Sequence, residues 1–196
     1  MIHYIHDYFL DELHPITIDL VGVGGTGSLM ITKIARMNHA LIQLGHPGII
    51  LRAWDYDIVE ENNVGRQNFT LSDVGMNKAE CMIEKINLAF SFYWEAIPKK
   101  YDNKQKSNII ISCVDNIKSR IQIHNKFRKR KKLMNCDYNT NFYWLDTGNG
   151  KDFGQVILGS HKITQPKSKY KTIPQLKTII EIFGDLSKFD NEKTQG

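Results

Sequence analysis

Unbroken apolar stretches alternate along the chain with stretches in which apolar residues recur every third and fourth position. Ile16-Thr17-Ile18-Asp19-Leu20-Val21 is short, β-branched and mostly apolar, and it runs straight into glycines. That is the pattern of a strand buried on both faces. From Thr26 to about Leu44 the residues Leu29, Met30, Ile34, Met37, Leu41 and Leu44 recur at helical spacing, until Gly45-His46-Pro47-Gly48 stops them. Ile49-Ile50-Leu51-Arg52-Ala53-Trp54 reads as a second strand, completing a strand, helix, strand unit whose crossover should be right-handed.

Further along, Ser72-Asp73 offers an N-cap for a helix whose main body, Lys78 to Phe90, carries Cys81, Met82, Ile86 and Phe90 on one face. Phe92 to Ile97 predicts a third strand. Asn108-Ile109-Ile110-Ile111-Ser112-Cys113-Val114 is the most apolar strand candidate, and Asp115-Asn116 directly after it can cap a helix running to about Lys132. Phe142 to Asp146 and Gln155 to Leu158, joined by the glycine-rich residues 147–154, predict an antiparallel pair. Beyond His161 the chain is polar, and only Ile173 to Phe183 could make a short amphipathic helix. The sum is an α/β fold, a Rossmann-like and mainly parallel sheet with helices on both faces and a short antiparallel extension. One domain is expected over residues 1–160, with 161–196 an incomplete or flexible polar end.

Composition changes this picture little. Of 196 residues, 41% are hydrophobic and 24% charged, as in an ordinary folded protein. No apolar run approaches the roughly 20 residues of a membrane helix, and the N-terminus lacks the basic and apolar order of a signal peptide, so a soluble cytoplasmic protein is expected. The net charge is +5, yet Lys126, Arg128, Lys129, Arg130, Lys131 and Lys132 alone supply six positives. Because the positive charge is local, it argues little for nucleic acid, whose partners spread Lys and Arg over a face. At a helix C-terminus these cations suit the helix dipole, so the run reads first as a solvated helix end and second as a docking face for an acidic protein. Cys81, Cys113 and Cys136 are odd in number and show no CxxC spacing, which fits a reducing compartment. His3 and His6 read as a surface pair rather than a metal site.

The chemistry begins at Val21-Gly22-Val23-Gly24-Gly25-Thr26-Gly27-Ser28, a GxGxxG match between a buried strand and a helix start. There, backbone N–H groups and the helix dipole can hold a phosphate. Asp55, at the end of the second strand, is placed for ribose hydroxyls. To this point NAD and ATP are equally served. The next stretch separates them: Trp54-Asp55-Tyr56-Asp57-Ile58-Val59-Glu60-Glu61-Asn62-Asn63-Val64-Gly65-Arg66-Gln67-Asn68-Phe69, then Gly75, Lys78 and Ala79. A dehydrogenase has no need of it. This string resembles the ThiF/MoeB-type adenylating family, to which the ubiquitin-activating enzymes belong. The resemblance continues through Ser112-Cys113-Val114-Asp115-Asn116 and Gly154-Gln155-Val156, covering roughly residues 15–160. Among subgroups the chain most resembles the ThiF-family proteins of the plasmid-associated PRTRC system.

The resemblance implies ATP and Mg²⁺ as cofactors. It implies that Gly22, Gly24, Gly25, Thr26 and Gly27 line the phosphates, that Asp55 holds the ribose, and that Asp57 and Asn116 complete the nucleotide site. Asn63, Arg66 and Lys78 become the polyphosphate contacts and Asp115 the metal ligand. It further implies a homodimer whose partner is a small ubiquitin-like or sulfur-carrier protein, adenylated at its C-terminal glycine carboxylate. Two departures stand out. Family dimers often lend an N-terminal arginine to the neighbouring site, yet residues 1–35 hold only Lys33, and no cysteine follows Cys136 where the thiol-transfer members keep one. A nucleotide-binding scaffold without turnover is therefore the alternative, ahead of a nicotinamide-dependent oxidoreductase.

Overall fold

The computed structural model describes residues 1–102, 104–129, 140–149 and 153–184. Six strands form one sheet: β1 (Ile16–Val21), β2 (Ile49–Trp54), β3 (Glu95–Ile97), β4 (Ile109–Ser112), β5 (Tyr143–Asn149) and β6 (Gly154–Ser160). Their order is β3-β2-β1-β4-β5-β6, all parallel except the antiparallel β5–β6 hairpin at one edge. The expected Rossmann-like architecture is therefore the one found. Helices α1 (Gly25–Gln43) and α2 (Lys78–Phe90) cover one face, while α3 (Ile117–Arg128) and the short α4 (Ile179–Phe183) lie on the other.

Strand alternation divides the core accordingly. Ile18, Leu20, Leu51, Ala53 and Ile111 point to the α1/α2 face and join Ile31, Ile34, Met82 and Ile83 in the larger apolar cluster. Val21, Ile110 and Trp144 point the other way and meet Ile117, Ile123 and Phe127 of α3 with Ile179 of α4. β1 is thus buried on both faces, as its apolar run predicts.

Several boundaries differ from the sequence reading for local reasons. Ser72 and Asp73 close a separate 3-10 turn at Leu71–Asp73, and Asn77 caps α2, its Oδ1 accepting from Ala79 N at 2.9 Å and Glu80 N at 3.1 Å. β3 is shorter than expected because Trp94 is tied to α2, its N–H donating to Asn87 Oδ1 at 3.0 Å and its carbonyl accepting from Asn87 Nδ2 at 2.9 Å. Helix α3 stops at Arg128, short of Lys132.

From β3 to β4 the chain crosses β2 and β1 with no helix among its described residues. Residues 98–102 and 104–108 run instead as a strap over a polar ladder. Asp19, fully buried, accepts from Arg52 Nε at 2.7 Å, Trp54 Nε1 at 3.3 Å and the Tyr101 hydroxyl at 3.2 Å. Arg52 Nη2 donates to Lys106 O at 2.8 Å, and Lys126 Nζ of α3 donates to Tyr101 O at 3.1 Å.

Residues 161–184 bond to the sheet edge and to the N-terminus. Ser160 N donates to Leu176 O at 3.1 Å, Ile163 N to Pro174 O at 2.7 Å and Ile173 N to Ile2 O at 2.9 Å. His3 and His6 belong to this clasp rather than to an open surface. His3 Nδ1 lies 2.7 Å from Ile173 O and its Nε2 lies 3.1 Å from the Tyr143 hydroxyl, while the His6 ring packs on Phe142 at 4.2 Å.

Candidate functional site

A cleft of about 1210 Å³ runs along the carboxyl ends of the strands, where β1 and β4 lead away in opposite directions. That is where open α/β sheets bind ligands. One wall is built by the turn after β1. Gly22 has φ +91°, and a Cβ there would stand 2.9 Å from Cys113 O, so the turn requires glycine twice over. Gly27 does not line the cleft. A Cβ on it would lie 1.9 Å from Gly22 O, so its absence lets α1 pack against the turn. The helix starts with Gly24 as N-cap and no side-chain cap, which leaves its first N–H groups for a ligand. Gly22, Gly24, Gly25 and Thr26 all line the cleft.

Asp55 is locked beside this turn. Its Oδ2 accepts from Val23 N at 2.6 Å and its Oδ1 from Asp57 N at 2.9 Å. Burial pushes its carboxyl above the ordinary carboxylate range, with those two N–H groups opposing the shift. Each oxygen keeps a lone pair for a hydroxyl donor. Lys78, buried at the start of α2, places Nζ 3.8 Å from Asp57 Oδ2, and Arg66 reaches the same cleft from an exposed loop.

The opposite wall follows β4. Asp115 lines the cleft with Asn116, whose Nδ2 donates to Asp115 Oδ1 at 3.2 Å and whose Oδ1 caps α3 by accepting from Ser119 N at 2.8 Å. Behind them Arg120 is buried, its Nε 3.1 Å from Asp146 Oδ2, its Nη2 donating to Val114 O at 2.6 Å and Thr147 O at 3.2 Å. A Cβ on Gly148 would stand 2.9 Å from that Nη2, so the β5–β6 hairpin is cut to fit the guanidinium. Burial pushes the Asp146 carboxyl up, against the pull of Arg120 and Ser112.

Ten of the twelve residues singled out from the sequence therefore share one cleft; Gly27 and Asn63 do not line it. Asn63 is turned to its own turn, its Oδ1 accepting from Glu60 N at 3.0 Å and its Nδ2 donating to Asn62 Oδ1 at 2.7 Å. The structure adds Gln67, Lys99, Lys100 and Arg120 to the cleft. Arg120 could have been found from its place in the first turn of α3, four residues after Asn116. No periodicity or motif marks Lys99 and Lys100.

The donor set suits a nucleoside triphosphate. Gln67 Oε1 is buried without a partner, 4.0 Å from where a Cβ on Gly24 would sit, so it awaits a donor at the turn. No group of three or more His, Cys, Asp or Glu suited to a metal occurs among the described residues. A lone carboxylate such as Asp115 fits Mg²⁺, which is commonly held by one or two carboxylates together with phosphates and water. Cys113 also lines the cleft, but burial pushes its thiol to about 11, so it is a protonated wall residue rather than a nucleophile. Cys136, with Arg130, Lys131 and Lys132 of the basic run, lies outside the described residues. Among the described residues no helix is long and apolar enough to cross a membrane.

The profile of the ThiF family matches residues 1–136. Ubiquitin-like modifier-activating enzyme 5 of Culex quinquefasciatus is 26% identical over 133 residues, covering 58% of this chain and 31% of that protein. Among solved structures, E. coli MccB with ATP matches at TM-score 0.51 and 20% identity over 79% of this chain and 46% of that one. E. coli tRNA N6-threonylcarbamoyladenosine dehydratase, TcdA, matches at TM-score 0.49 and 24% identity, over 58% of this chain and 46% of that one. The chain thus spans less than half the length of each of these proteins.

Proposed function

The chain belongs to the ThiF family, and from that premise we propose that it activates a carboxylate with ATP, joining it to AMP and releasing pyrophosphate. The substrate is the C-terminal glycine of a small ubiquitin-like or sulfur-carrier protein. The observation that carries this reading is the meeting in one cleft of an uncapped helix start on a glycine turn, the buried Asp55, two cations and Asp115. Similarity to a ubiquitin-like modifier-activating enzyme supports the choice of substrate.

In this reading the turn at Gly22 to Thr26 and the first N–H groups of α1 cradle the phosphates, and Asp55 accepts from the ribose hydroxyls. The tail carboxylate attacks the α-phosphorus, and the bond to the bridging oxygen breaks. Lys78 and Arg66 offset the negative charge gathering on the departing pyrophosphate. Asp115 would hold Mg²⁺, which supplies further neutralisation of the phosphates. Asp57 Oδ2 stands 3.8 Å from Lys78 Nζ and aims that side chain.

Two chains would act as a homodimer. Exposed Leu29 and Met37 on α1 and exposed Val156 and Leu158 on the edge strand β6 are apolar surface that a second copy could cover. Light scattering at tens of micromolar tests this, and a monomer mass rejects it. The activity is tested by isotope exchange between pyrophosphate and ATP in the presence of small proteins ending in Gly. Carrier-dependent exchange is expected. ATP binding without exchange for any such carrier would leave a nucleotide-binding scaffold instead.

A further inference from the structure

Residues Cys113 to Asn116 carry the chain from the end of β4 to the start of α3, and the neighbours of Asp115 in this loop are tied down. Cys113 N donates to Val21 O at 2.8 Å, Val114 O accepts from Arg120 Nη2 at 2.6 Å, and Asn116 caps the helix by accepting from Ser119 N at 2.8 Å. Asn116 Nδ2 also donates to Asp115 Oδ1 at 3.2 Å. The Val114 carbonyl belongs to the peptide that leads directly into Asp115, so the guanidinium sets the direction in which that carboxylate leaves the backbone.

Arg120 reaches this carbonyl from a fixed seat. Its Nε lies 3.2 Å from Asp146 Oδ1 and 3.1 Å from Oδ2, and the same Nη2 also donates to Thr147 O at 3.2 Å. Asp146 is held in turn by the Ser112 hydroxyl, which donates to its Oδ1 at 2.5 Å. A lysine has no planar fork with which to serve a carboxylate and two carbonyls at fixed angles. Stability does not account for the arrangement, because a buried ion pair is often no better for a fold than apolar residues of similar volume. What the pair supplies is direction. Resting on the nucleotide reading above, we propose that Arg120 is a positioning residue: seated on Asp146, it sets the Asp115 carboxylate for a divalent cation carried by the ATP phosphates.

Gly148 gives a way to move the guanidinium while leaving both charges in place. A Cβ there would stand 2.9 Å from Arg120 Nη2 and 3.2 Å from Gln155 Nε2, the ends of two flexible side chains, so Gly148→Ala displaces the fork rather than the sheet. A second variant, Arg120→Met/Asp146→Ala, removes both charges and strands neither. Calorimetric titration of wild type and both variants with ATP, with and without excess Mg²⁺, tests the proposal, and thermal melting of the same samples checks the fold. Wild type should bind ATP more tightly with Mg²⁺. In both variants that gain should shrink about tenfold, the usual cost of losing a partner that orients a metal ligand, while ATP alone binds as in wild type because the glycine turn is untouched. A full Mg²⁺ gain in either folded variant would overturn the proposal. An equal loss with and without Mg²⁺ would overturn it too, by making Arg120 a purely structural part of the wall, as would a wild type that binds ATP equally with and without Mg²⁺. A wild type that binds no ATP at all would overturn the nucleotide reading instead.

Discussion

The two walls of the cleft are held by different physics. The wall from β1 to α2 is set by backbone: a glycine at φ +91°, a helix start packed against it, and a carboxylate gripped by two N–H groups, with the larger apolar cluster behind. The wall from β4 to β5 is set by a buried ion pair, Arg120 with Asp146, that fastens the loop after β4 to the hairpin through Val114 O and Thr147 O. Backbone geometry is fixed by which residues can occupy a turn. A buried pair is fixed only while both charges are present, because desolvation of either one alone is costly.

The largest expected effect follows from that difference. Asp146→Ala strands Arg120 in a site where it is 8% exposed, and the loss should be about 4 kcal/mol by thermal or urea unfolding. The double variant Arg120→Met/Asp146→Ala removes both charges and should recover part of it. A single variant as stable as wild type would mean that the second wall does not depend on its pair. On the first wall, Gly27→Ala forces a methyl to within 1.9 Å of Gly22 O unless the turn shifts, and about 3 kcal/mol of stability should be lost. ATP protection against melting should fall with it. Full stability with full ATP protection would show that the turn yields more easily than its packing suggests.

These walls also explain what could be read in the sequence. The glycine turn and the helix after it are consecutive, and each is dictated by local sterics or a 3.6-residue period, so β1, α1 and β2 fall within a residue or so of their expected bounds. Arg120 and Asp146 are 26 residues apart in sequence, and their pairing depends on β4 and β5 lying side by side, which no local pattern encodes. The same holds for Lys99 and Lys100, carried to the cleft by a strap without periodicity. Asn63 is the reverse case, a residue of the right type in the right string whose amide is consumed by its own turn.

Asp115→Ala probes the chemistry of the second wall. Asp115 is exposed at the end of a loop, so melting should be unchanged while carrier-dependent pyrophosphate exchange falls by about a hundredfold or more. Near-normal exchange would remove Asp115 from the mechanism. A smaller effect lies behind the first wall. Burial opposes the charged form of Asp73, but hydrogen bonds from Lys85 and Thr70 outweigh it and hold the carboxyl at about 2. A carboxyl lowered in the folded state contributes stability above its unfolded value of 3.8 and loses it as the pH falls towards about 2. With Lys85 half-exposed to screening water, Asp73→Asn should cost about 1 kcal/mol at pH 7 and only a small fraction of that at pH 2. A cost independent of pH would deny the linkage.

The smallest expected effect is at the basic run. Its first members are already engaged, Lys126 with Tyr101 O at 3.1 Å and Arg128 with Ser160 O at 2.8 Å and Glu181 at 2.5 Å. The run begins at the C-terminal end of α3, whose N-terminal end carries the second wall of the cleft. Twelve helical residues separate the two by about 18 Å, roughly two screening lengths at physiological salt. Charge that far away neither grips the polyphosphate nor changes the pull on Asp115. Cations at a helix C-terminus are explained by the helix dipole alone. Replacing Lys129, Arg130 and Lys131 with Ser should therefore leave ATP affinity and the rate of carrier association unchanged at every salt concentration. A slower association at low salt that converges with wild type at high salt would instead make the run a docking face for an acidic partner, and would move part of carrier recognition from the cleft to the far end of α3.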